Sequence, residues 1–129
     1  MTEIYLEDIT ECIAIIKINR SYREGMSSEA LYDCTRGCWK HSIEYAEQAE
    51  YVLSVANGIV VEVYKPLSWM SAEELNRKTY PYNEKDDAGR IGFEGQLAPD
   101  NIRKKYIGKS VKPLFKKGNV NPLQIIKPQ

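Results

Sequence analysis

Three side chains stand at a spacing that could hold zinc: Cys34, Cys38 and His41. A structural zinc site needs four ligands, and neither a second cysteine pair nor a second histidine is present; Cys12 could supply the fourth only if the fold brought it there. His41 is the single histidine, so two-histidine metalloprotease signatures are excluded. A cysteine nucleophile would need a base held by an orienting partner, and the favoured reading of the thiols is small, reduced and buried. Gly92 and Gly95 are too few for a phosphate-binding loop. The acids a metal-dependent nuclease or hydrolase could draw on are Glu50, Glu62 and Glu94.

A recognition surface is better supplied. Trp39 follows a helix among polar residues, Trp69 follows a proline, and Tyr22, Tyr64, Tyr80 and Tyr82 add aromatic area. Formal net charge is zero, but residues 101–129 hold eight of the 18 basic side chains and no Asp or Glu; the first hundred residues keep ten basic groups and all 18 acidic ones. Such a division points to an anion-facing surface. Aromatic walls suit a base lifted from its stack, and lysines nearby suit its phosphates. The plainer alternative is a solvated tail neutralised by the acidic body, with the tryptophans plugging the ends of a barrel. Tyr106-Ile107-Gly108-Lys109 invites comparison with GIY-YIG nucleases, but no GIY strand precedes it and no carboxylate follows Asp100 to hold a metal.

These residues must be carried by a scaffold, and 129 residues with 43% hydrophobic content suit one domain with its own core. No apolar run approaches the roughly 18 residues of a membrane span, no signal peptide is visible, and an odd count of three cysteines suggests a cytoplasmic setting. Asn57-Gly58 between two β-rich runs predicts a type I′ hairpin over Ala49–Trp69, with Ala56 opposite Ile59 and the ladder ended by Lys65-Pro66. Because the hairpin is apolar on both faces, the sheet is expected to be closed or well covered. Cys12–Asn19 reads as a buried strand, and Ser27 caps a helix that ends at Gly37. Cys38–Lys40 reads as extended, and a helical turn fits within His41–Gln48. Arg90–Leu97 is a strand with a bend or bulge at its glycines, and Pro99–Tyr106 a helix before Gly108. Val111–Phe115 and Pro122–Ile126 are short strand candidates. Met1–Glu11 is expected as a loose leader, and Ser71–Gly89 as a long exposed excursion with a short helix near Ala72–Lys78.

The order of elements resembles the PUA-like superfamily. The resemblance rests on Ile16-Lys17-Ile18-Asn19, a capped helix, a tryptophan, Glu50-Tyr51-Val52-Leu53-Ser54-Val55 and Gly58-Ile59-Val60-Val61-Glu62-Val63. EVE and YTH domains, small β-barrels with flanking helices that read modified bases, are closest in layout. The resemblance matches Trp39 to the first cage tryptophan, Asn19, Arg20 and Ser21 to the stretch gripping the base edge, and Trp69 to a second wall. Ile13 to Ile126 also looks like a bacterial domain of unassigned role, which can sit beside nuclease domains. The carrying motifs are Ile18-Asn19-Arg20-Ser21-Tyr22, Cys34-Thr35-Arg36-Gly37-Cys38-Trp39, Gly58-Ile59-Val60-Val61-Glu62-Val63-Tyr64, Tyr106-Ile107-Gly108-Lys109-Ser110-Val111 and Gly118-Asn119-Val120-Asn121-Pro122.

The expectation is one α+β domain built on a small PUA-like mixed β-barrel with flanking short helices. It would be a non-catalytic nucleic-acid-binding module needing no cofactor, with DNA or RNA, and a nuclease domain or protein, as partners. Trp39 would stack on a base, with Trp69 as second wall and Asn19, Arg20, Ser21 and Thr35 at its edge; Arg36, Lys109, Lys112, Lys116 and Lys117 would hold phosphates. The rivals are a protein-interaction module using the basic C-terminal segment and a metal-dependent nuclease.

Overall fold

Asn57 and Gly58 turn the chain at φ of 52° and 81°. A computed structural model, which describes residues 2–115 and 121–129, builds its sheet outward from that turn. Strands β2 (Tyr51–Ala56) and β3 (Ile59–Ser71) pair antiparallel with Ala56 opposite Ile59. Strand β1 (Ile13–Lys17) lies parallel to β2, β4 (Ile91–Leu97) antiparallel to the later half of β3, and β5 (Leu123–Ile126) antiparallel to β1. The order is β4-β3-β2-β1-β5. This is a mixed α+β sheet, and it does not close into the expected barrel: among the described residues β4 and β5 are its two ends.

The sheet is covered on both faces. Alternate β1 residues point opposite ways. Ala14 and Ile16 join one apolar cluster with Val52, Phe93 and Trp69; Ile13 and Ile15 join a second with Leu53, Val55 and Val63. The helices α1 (Ser28–Arg36) and α2 (Ile43–Ala46) lie over the first cluster through Cys34, Leu31, Ala46 and Ile43. A third helix, α3 (Glu84–Asp87), stays at the surface, and α4 (Asp100–Tyr106) covers the second cluster through Ile102 and Tyr106. Ser27 caps α1 by accepting the Ala30 N–H at 3.1 Å. Gly37 ends that helix with extended backbone (φ −172°), not in a left-handed turn. Glycine suits the position because a Cβ there would meet Leu75 at 2.7 Å.

Four expectations need correction. Strand β3 passes through Lys65-Pro66 because its partner changes: β2 pairs as far as Tyr64, β4 takes over from there, and the register shift between Pro66 and Ser68 accommodates the absent N–H. Residues 2–11 are not loose, since Ile4 and Ile9 are buried and the Ser110 backbone bonds Thr2 and Ile4. The excursion after β3 is strapped down: Leu75 is buried, Arg77 donates to the Asp33 and Gly37 carbonyls, and Thr79 bonds the Asp33 carboxylate. Its expected helix is only a 3-10 turn, Ala72–Glu74. Val111–Phe115 is not a strand; Lys112–Leu114 is a 3-10 turn, and Ser110 makes the bridge to Ile59.

Both sheet ends are blunted by a tyrosine hydroxyl. Tyr32 on α1 accepts the Gly95 N–H at 2.8 Å and donates to the Gly95 carbonyl at 3.0 Å. Tyr45 on α2 accepts the Ile125 N–H at 3.0 Å. Edge strands left bare invite pairing with another chain. Tyr32→Phe and Tyr45→Phe are each expected to cost about 1 kcal/mol in urea unfolding. The double variant should elute as larger species in size-exclusion chromatography; a double variant as stable and monodisperse as the parent would refute this role.

Candidate functional site

Lys17 is the first charged residue in the β1 run, and by alternation it shares the face of Ile13 and Ile15. Where that face ends beside the hairpin turn, a cavity of about 320 Å³ opens. Val55 and Val111 form its apolar part, Phe115 one wall, and Lys17, Lys112 and Asn19 its polar groups. The far wall is placed by Gly108, which turns the chain after α4 at φ 84°. Residues 108–111 then run along β3, with Gly108 N–H on the Val60 carbonyl, Val60 N–H on that of Lys109 and Val111 N–H on that of Gly58. Asn19 is oriented by accepting the Asn57 N–H at 2.8 Å through Oδ1. The Lys17 ammonium lies 4.3 Å from the centre of the Phe115 ring, and Lys112 is exposed. Small cavities of roughly 300 Å³ upward are the usual size for small-ligand sites.

The expected site residues divide. Asn19 and Lys112 meet in this cleft. Arg20 is exposed and Ser21 half-buried in the turn after β1. Trp39 packs half-buried on the opposite apolar cluster, its backbone bridged to Ile91 and its indole N–H donated to the Thr35 carbonyl at 2.8 Å. Thr35 is sealed in the interior, its hydroxyl on Ser54 and the Leu31 carbonyl. Arg36 is buried too, bonded to Asp33 and the Asn76 carbonyl and lying over the Tyr32 ring, so it has no free guanidinium for a phosphate. Trp69 is a core residue against Phe93, not a wall of a surface pocket. Lys109 lines a second cavity with Lys105, Tyr106 and Asp8. Lys116 and Lys117 lie outside the described residues.

The sequence reading missed Lys17 and Phe115. The signal for Lys17 was there: it interrupts the run Ile13-Ala14-Ile15-Ile16-Lys17-Ile18 on one face and marks where that face meets water. Phe115 carried no comparable signal.

Other candidates for chemistry separate in space. Among the described residues no three His, Cys, Asp or Glu side chains come together to hold an ion. Glu62 is engaged bidentately by Arg103 at 2.9 and 3.1 Å. The Cys34 thiol is pushed up to about 11 by burial, so it is neutral at ordinary pH, and burial raises Cys38 as well. Glu11 accepts from Lys105 at 2.9 Å and from the Tyr106 hydroxyl. Burial alone would raise the Glu11 carboxyl, but these bonds outweigh it and hold it low. Two of the eight C-terminal cations, Arg103 and Lys105, are thereby matched by acids of the body. No helix among the described residues is long and apolar enough to cross a membrane. No protein family, no curated protein and no solved structure matches the chain.

Proposed function

We propose that this protein is a non-catalytic nucleic-acid-binding module, with its contact surface at the cleft of Lys17, Asn19, Lys112 and Phe115. One observation carries the reading: two ammonium groups, an oriented amide and an aromatic ring share one open cavity. That is the combination single-stranded nucleic acid needs, cations for phosphates and a ring and apolar floor for a base. The PUA-like layout accords with such a role, although the recognition surface assigned here lies across the sheet from Trp39. The three free thiols suit a reducing, cytoplasmic setting.

Fluorescence anisotropy with a labelled single-stranded oligonucleotide tests the reading. Affinity should fall steeply between about 50 and 200 mM salt, and Lys112→Ala should make the log–log salt slope shallower by about one. Affinity that stays flat across salt and is untouched by Lys112→Ala refutes it. Capture of an acidic peptide in place of the oligonucleotide would transfer the surface to a protein partner.

A further inference from the structure

The cleft has an unusual hydrogen-bonding balance. Its accessible acceptors are already engaged. The Asn19 Oδ1 takes the Asn57 N–H at 2.8 Å. The carbonyls of Val55, Gly58, Val111 and Lys112 take the N–H groups of Ile18, Val111, Leu114 and Phe115 at 2.8, 2.9, 2.9 and 3.2 Å. What remains to meet a ligand is donors. Because its oxygen is held by Asn57, the Asn19 amide turns its NH₂ outward, and no described residue bonds that NH₂. The Lys112 ammonium likewise has no partner among the described residues, and Lys17 adds a third positive donor beside Phe115.

From this balance we infer that the cleft selects a guanine, read through its O6 and N7 edge, over adenine. That edge offers two acceptors and no donor, whereas the corresponding edge of adenine puts an N6 amino group beside N7. An amino group brought against the Asn19 NH₂ and the Lys112 ammonium would meet donors only, leaving polar groups unpaired at a desolvated contact. Guanine instead lets Asn19 and Lys112 each donate to one acceptor, with the ring against Phe115 and the apolar floor of Val55 and Val111. The inference rests on the nucleic-acid reading above and adds the identity of the base.

A phosphate also offers only acceptors, so the experiment must separate the two. The probe is a labelled single-stranded DNA of nine nucleotides, adenines with one central guanine. Central inosine, 7-deazaguanine, adenine and an abasic position are compared at low salt. Guanine and inosine should bind alike, since both keep O6 and N7. The other three should bind about tenfold more weakly. Asn19→Asp keeps the acceptor for the Asn57 N–H but replaces the donor by a second oxygen, so it should erase the guanine preference while the fold persists. Equal, salt-dependent binding of all five probes would overturn the base assignment and leave the nucleic-acid reading standing, the cleft then holding phosphate alone. Binding of none would overturn both.

Discussion

Asp33→Ala is expected to remove about 3–5 kcal/mol of stability, the cost typical of stripping one partner from a buried ion pair. Asp33 is 2% exposed and Arg36 6%. The Asp33 carboxylate accepts from Arg36 Nε at 2.8 Å and from Thr79 N–H and hydroxyl at 3.0 and 2.7 Å, while its carbonyl receives Arg77. One carboxylate therefore neutralises the last residue of α1 and holds the strap that follows β3. Without it Arg36 keeps only the Asn76 carbonyl and the Tyr32 ring, 4.6 Å away. Urea unfolding should show the midpoint falling with little change in slope; a loss under about 1 kcal/mol would show the pair to be dispensable.

The same residue sets an acid limit. Burial on its own would raise the Asp33 carboxyl, but the bonds from Thr79 and Arg36 outweigh it and hold it below the ordinary aspartate value. The unfolded chain therefore takes up the proton first. The stability from this group is present above about pH 4 and is lost as pH falls through the lower folded value. Asp33→Asn should be less stable than the parent at neutral pH and should lack this part of the acid dependence. Parallel stability curves for parent and variant down to pH 3 would contradict the assignment.

How far the sequence foretold these features follows from the range of the physics. Asn57-Gly58, the Ser27 cap and the turn at Gly108 are decided by a few neighbouring residues, and all three appear where local chemistry put them. Pro66 misled because its effect depends on a strand distant in the chain: only pairing with Gly95 in β4 lets β3 continue. Met1–Glu11 looked loose because its two buried isoleucines are scattered among acids, and Ser110, which pins it, lies a hundred residues away. The cleft was half legible. Asn19 and Lys112 were singled out, but with Trp39, because nothing along the chain tells which face of a sheet an aromatic will take. Thr35 and Arg36 looked available for recognition because their partners, Ser54, Asp33 and Asn76, become visible only once α1 is packed.

Gly92→Ala is the second large effect, and it tests how α1 meets β4. A Cβ on Gly92 would overlap the carbonyl oxygen of Arg36 and the side chain of Leu75. Leu75 can turn aside; the carbonyl cannot, because it belongs to the last turn of α1, whose Arg36 side chain is held by Asp33 and whose next residues are held by Arg77. The helix end must lift from the sheet, so the loss should be about 3 kcal/mol and the thermal midpoint should drop on the order of 10 °C. Gly89→Ala is the matched control: its φ of 78° strains an alanine, but no atom lies within 4 Å of the added carbon, so the cost should stay near 1 kcal/mol. Adding Leu75→Ala to Gly92→Ala separates the two contacts. If the backbone oxygen dominates, the double variant recovers nothing and loses the buried leucine as well. If stability returns, the side chain was the obstacle and the close seating of α1 on β4 is softer than the geometry implies.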